Sequence, residues 1–105
     1  MSDNLPISEQ YRIVAKRWVD AEAAASLMED TKTAVLSQMQ MALGDMPVSR
    51  AEMQVKASPE WMEFIEKMIE TRKQANLLKV HMEYLRMRSK EWTAEEYARA
   101  AEMKL

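Results

Sequence analysis

The sequence predicts an all-α protein, built as a long antiparallel two-helix coiled-coil hairpin with a short connecting helix. The chain has 105 residues with one glycine and three prolines, which is too few turn-forming residues for a β-rich fold. These residues fall at three places along the chain. The segments between them carry apolar residues at alternating spacings of four and three, which is the pattern of a coiled-coil seam. We expect residues 1–105 to form one helical domain.

The first long helix is predicted over about residues 7–43. Good helix formers run without interruption from Ile7 to Leu43, and Gly44 stands where a left-handed residue commonly ends a helix. Polar residues near Thr31 interrupt the apolar seam once. The predicted seam positions are Ile7, Tyr11, Val14, Trp18, Ala21, Ala25, Met28, Val35, Met39 and Ala42.

Two serines mark the next helix starts. Ser49 followed by Glu52 matches a capping box, which predicts a short connecting helix over about residues 50–56. Ser58 then precedes Pro59, a favoured residue at the first position of a helix. The sequence therefore predicts a third helix from residue 59.

The third helix is predicted over about residues 59–92, with two alternatives for its end. It continues towards the C-terminus, or it breaks near residue 93 and a separate C-terminal helix runs to about residue 104, because Thr93 and Glu96 form a second capping-box match. Its predicted seam positions are Trp61, Ile65, Met68, Thr71, Ala75, Leu78, Met82, Leu85, Ser89 and Trp92.

The two seams can be aligned so that large residues face small ones. In this register, Ala25 lies beside Leu78, Trp18 beside Leu85, and Thr31 near Thr71. Interleaved volumes are what close packing requires.

The residue types indicate a protein that is not an enzyme and needs no metal or cofactor. There is no cysteine, and His81 is the only histidine, so neither a ligand pair nor a nucleophile with its base can be assembled. The N-terminus lacks a signal-peptide pattern and no segment has the length of an apolar membrane span. We expect no membrane association, and a cytoplasmic location.

A second apolar row lies on a different flank of the third helix. It consists of Leu77, Val80, Tyr84 and Met87, and a two-helix hairpin cannot cover both this row and the seam. Covering it needs a folded-back C-terminal segment, a second copy of the chain or a protein partner. We predict that it is an interaction face, with a homo-oligomer, preferably a dimer, or a protein partner upon it.

Basic residues collect in the later part of the third helix, although the net charge of the chain is −2. The aligned seams place Lys16 and Arg17 alongside Arg86 and Arg88, with Lys90 close by. This basic patch supports an alternative function, weak nucleic-acid binding. No recognition-helix motif or aromatic stacking platform accompanies it.

One family resemblance covers about residues 50–103. The segments that carry it are Ser58-Pro59-Glu60-Trp61, Arg72-Lys73-Gln74-Ala75-Asn76 and the later basic stretch with Trp92. They resemble small all-helical proteins encoded by phages and prophages, often near recombination genes. The resemblance implies an accessory role in the bacterial cytoplasm, acting on host defence or recombination machinery. With the second apolar row, it predicts a non-catalytic helical interaction module.

Overall fold

The computed structural model describes residues 4–103, which form three α-helices. Helix α1 spans Ile7–Ala42, α2 spans Val48–Lys56 and α3 spans Pro59–Met103. Helix accounts for 91% of the structure, and the described residues contain no strand. The predicted fold class is confirmed, because α1 and α3 form a long helical hairpin and α2 lies in the connection between them.

Helix α1 ends at a backbone turn that requires glycine. Gly44 has a φ of +84°, and its amide donates to the carbonyl of Met41 at 3.2 Å. A Cβ atom added to Gly44 would meet nothing within 4 Å. The requirement for glycine therefore comes from the left-handed backbone and not from crowding.

Helix α2 begins two residues earlier than predicted, and the capping box assigned to Ser49 is wrong. Pro47 is the N-cap residue, with φ −54° and ψ 140°, and no side chain caps this end. The Pro47 carbonyl accepts the amide of Ala51 at 3.0 Å. Because the proline ring fixes φ, Pro47 sets the entry into the helix and leaves Ser49 inside the first turn.

Ser58 joins α2 to α3, and its predicted capping role is confirmed. Its hydroxyl accepts the backbone N–H of Trp61 at 3.2 Å and donates to the carbonyl of Val55 at 2.6 Å. One side chain therefore caps the start of α3 and adds a second hydrogen bond to a carbonyl at the end of α2, which also accepts the amide of Ser58 at 2.9 Å.

Helix α3 runs without a break through Thr93 to Met103. The Thr93 hydroxyl donates to the carbonyl of Ser89 at 3.0 Å, four residues back in the same helix. A hydroxyl used in this way does not cap a new helix. The second capping-box match therefore marks no helix start, and the described residues contain no separate C-terminal helix.

Residues 21–75 form a compact unit around the turn, called here the turn unit. Its buried residues come from all three helices and are Ala25, Ala51, Val55, Trp61 and Ala75. Ala25 and Ala75 have no exposed surface. The remaining predicted seam positions in this unit are partly buried, apart from the exposed Ala42.

The described parts of the other unit, residues 4–20 and 76–103, are called here the terminal unit. Its core is thin, because only Val14 and Leu85 are buried. Ser89 and Trp92 were predicted in the seam but are exposed. Every described side chain after Trp92 is also exposed, except that of Glu96, which is partly buried.

The register of the two long helices differs from the predicted one. Arg86 donates to the hydroxyl of Tyr11 at 3.2 Å, whereas the predicted register placed it beside Arg17. Leu85 lines one groove with Tyr11, whereas it was expected beside Trp18. The displacement is about six residues, close to one heptad. A repeating seam allows such an error, because a shift of one heptad again places apolar residues opposite each other.

Candidate functional site

The predicted interaction face is uncovered in the structure. Its four side chains lie on α3 at successive spacings of three, four and three residues. Their exposed fractions are 52% for Leu77, 61% for Val80, 56% for Tyr84 and 61% for Met87. Isolated exposed apolar residues are ordinary, but four neighbouring ones on one helix flank form a continuous surface of the kind that interfaces use.

The covered flank of α3 lies elsewhere on the helix. In the terminal unit Leu85 is buried, while Leu78 and Met82 are partly buried. These three residues belong to the seam, and none belongs to the exposed row. The described C-terminal segment cannot cover the row either, since it continues α3 as helix to Met103. The sequence analysis gave three candidates that could cover the exposed row. With the C-terminal segment excluded, the remaining candidates are a second copy of the chain and a protein partner.

Helices α1 and α3 are clasped in the turn unit by an arginine that the sequence reasoning missed. Arg72 bonds to Glu29 through two nitrogens, at 2.8 and 2.7 Å, and to Glu22 at 2.5 Å. The hydrogen bonds to Glu29 and Glu22 raise the pKa of Arg72. The hydrogen bond from Arg72 lowers the pKa of Glu29. Glu22 and Glu29 are seven residues apart, so they lie on the same face of α1, and this spacing could have indicated a shared basic partner. The incorrect predicted register paired them with other residues of α3.

These ion pairs neutralise Arg72, one of the basic residues in the later part of α3. A guanidinium held by two carboxylates has little positive charge left to offer a phosphate. Two members of the predicted basic patch also have partners. Arg86 donates a hydrogen bond to the hydroxyl of Tyr11, and this bond raises the pKa of Arg86. Arg88 lies 3.8 Å from Glu91.

The remaining members of the predicted basic patch are Lys16, Arg17 and Lys90. All three are exposed, and none forms an ion pair with another residue of the described range. The structure opposes Arg86 to Tyr11 and not to Arg17. The two halves of the patch are therefore not brought together as the sequence alignment predicted.

An open groove of about 590 Å³ lies between the start of α1 and α3 in the terminal unit. The sequence reasoning missed it, because the predicted register paired these segments with other residues. Its wall is mixed in character, with apolar, hydroxyl and basic side chains. The lining residues are Leu5, Pro6, Ile7, Ser8, Gln10, Arg88, Ser89 and Trp92.

The described part of the chain places no cluster of candidate metal ligands beside these surfaces. His81 is exposed. Across residues 4–103 no group of three or more histidine, aspartate or glutamate side chains is placed to hold a metal ion. Among the same residues, every buried side-chain nitrogen or oxygen has a hydrogen-bond partner. None of the helices, as far as they are described, is long and apolar enough to cross a membrane.

Comparison with protein-family models, curated proteins and solved structures finds no match to the chain.

Proposed function

We propose that this protein is a non-catalytic helical interaction module that self-associates through Leu77, Val80, Tyr84 and Met87. The observation that carries the proposal is the exposure of all four side chains on one flank of α3. Covering them would bury on the order of 500 Å² on each copy, or ~1,000 Å² in total, which is near the lower limit for a specific interface. We therefore expect a reversible dimer.

The resemblance over residues 50–103 supports a phage-type accessory role for the module. Such a protein works in the cytoplasm of a bacterial host, by contact with host defence or recombination machinery. The same exposed flank of α3 serves a partner when it is not occupied by a second copy. Competition between the two occupants would make partner binding depend on the concentration of the module.

The alternative function, weak nucleic-acid binding, has less support. Phosphate binding grows with the number of basic side chains that can reach the backbone. The two carboxylates on Arg72 remove one of these side chains. The net charge of −2 opposes association at longer range.

Sedimentation equilibrium tests self-association directly. The double variant Val80→Glu with Tyr84→Lys places charges within the exposed row and should shift the wild-type dimer to monomer. The matched control is Val19→Glu with Leu27→Lys, because these side chains are 57% and 64% exposed and belong to α1 instead of α3. The control variant should associate like the wild type.

The proposal fails if the Val80 and Tyr84 variant keeps the wild-type sedimentation mass and helical circular dichroism. A variant that loses helix content would not decide the question. In that case Val80→Gln with Tyr84→Gln provides the test, because glutamine is a good helix former that still removes the apolar contact.

A further inference from the structure

The exposed row continues in both directions as a stripe of α3. Four residues before Leu77 stands Lys73, and four residues after Met87 stands Glu91. Both are exposed, like the row itself. The six residues from Lys73 to Glu91 follow one another at spacings of four, three, four, three and four, which keeps them on one face of a continuous helix.

We propose that a second copy of this chain docks on the stripe with its α3 antiparallel, about a two-fold axis near residue 82. Leu77 then faces Met87 of the partner subunit, and Val80 faces Tyr84 of the partner subunit. Lys73 faces Glu91 of the partner subunit. The inference rests on the proposed self-association and adds the direction and register of the two helices.

The spacing of the stripe selects this register. The order of spacings is the same from the N-terminal end and from the C-terminal end of the stripe. In an antiparallel pair centred near residue 82, each stripe residue therefore faces a stripe residue of the second copy. A two-fold interface has this self-complementary character, in which each contact occurs twice. The smaller valine meets the larger tyrosine, and leucine meets the adaptable methionine, so the apolar layers have complementary volumes.

The charges at the two ends select the antiparallel direction. In the proposed register Lys73 meets Glu91 of the partner subunit, and this attractive pair forms twice. A parallel copy would place lysine on lysine and glutamate on glutamate, which is repulsive. Lys73 forms no ion pair within the described residues, and Glu91 has only the 3.8 Å contact with Arg88. Both charged groups therefore remain available to a second copy.

The same stripe also limits the length of the contact. Towards the N-terminus of α3 it carries three acids and towards the C-terminus three alanines, all of them exposed. The proposed register opposes these acids to the alanines, which offer no opposite charge. The contact therefore ends at the Lys73 and Glu91 pairs. The outer stripe residues are Glu63, Glu66, Glu70, Ala94, Ala98 and Ala101.

Mixed disulfide formation tests the register, and the chain contains no cysteine that could interfere. Two variants are prepared separately, Val80→Cys and Tyr84→Cys. Under mild oxidation an equimolar mixture should give at least about fivefold more crosslinked dimer than either variant alone. The reason is that only the mixed pair brings two Cβ atoms within disulfide reach.

Efficient crosslinking of Val80→Cys with itself would overturn the proposal in favour of a parallel dimer. Absence of the mixed crosslink, in a chain that sediments as a dimer, would overturn the register. A wild-type chain that sediments only as a monomer would instead overturn the proposed self-association. The three failures are distinguishable.

Charge exchange tests the ends of the interface. Lys73→Glu and Glu91→Lys should each weaken dimerisation roughly tenfold, because each replaces two attractive pairs by two repulsive ones. The double variant, and a mixture of the two single variants, should recover dimerisation to near the wild-type level. Lys79→Glu lies outside the stripe and is the control. Equal weakening by Lys79→Glu, or no recovery in the mixture, would contradict the proposed pairing.

Discussion

The two flanks of α3 should lose very different amounts of stability when one leucine on each is shortened to alanine. Leu85 is 4% exposed in the seam, whereas Leu77 is 52% exposed in the second row. Leu85→Ala removes buried methyl groups and leaves a void, which costs about 2–5 kcal/mol in protein cores. We expect about 2–3 kcal/mol here, because the core of the terminal unit is thin and can partly collapse around the void.

Leu77→Ala removes a side chain that already contacts water in a single chain. Its effect in the monomer should stay within about 0.5 kcal/mol, as for most surface substitutions. At concentrations where the dimer forms, the same substitution should become destabilising, because the assembled state loses the buried leucine. The pair of variants therefore separates the two flanks and also reports on self-association.

Urea unfolding followed by circular dichroism measures both effects, at micromolar protein and at about a hundredfold higher concentration. Amide hydrogen exchange shows which part of the chain loses stability. Leu85→Ala should raise exchange in residues 76–103 more than in residues 21–75, because only two buried residues hold the terminal unit. Equal losses for the two variants in dilute solution would refute the reasoning, since the second row would then be covered within one chain.

Three further predictions concern a cap, a pH dependence and the alternative function. Ser58→Ala should destabilise the fold by about 1 kcal/mol through loss of the α3 cap, and Ser58→Asp should restore most of it, both measured by urea unfolding. The Arg72 hydrogen bond lowers the pKa of Glu29 from its ordinary value of 4.5, so its stabilisation is full above that value and is lost as pH falls through the lowered pKa. Arg72→Met should remove this part of the acid sensitivity, seen by comparing urea unfolding at pH 7 and at pH 3. In fluorescence anisotropy, DNA and RNA should bind no tighter than about 1 µM near physiological salt. Submicromolar binding that Arg86→Glu with Arg88→Glu abolishes would instead support the nucleic-acid function.

The seams were predictable because helical periodicity depends only on spacing along one chain. The buried Trp61, Ala75 and Leu85 all stand at predicted seam positions. The exposure of the second row was expected from the same reasoning, since a helix flank that points away from the only neighbouring long helix cannot be covered by it. Both conclusions follow from local geometry.

The register was not predictable, because alignments one heptad apart both place apolar residues opposite each other. What distinguishes the observed alignment is specific to single side chains, as in the contact of Arg86 with Tyr11 and the two carboxylates on Arg72. The prediction of a cap at Ser49 was wrong for a similar reason. A capping-box motif depends only on residue types, whereas the start of α2 is set by the backbone conformation of Pro47.

The central claim, self-association through the exposed flank of α3, is tested most directly by the mass of the wild-type chain as a function of concentration. Sedimentation equilibrium should give a weight-average mass that rises from the monomer value of 12.2 kDa towards twice that value between low micromolar and several hundred micromolar protein. A mass that stays at 12.2 kDa across this range would contradict the account.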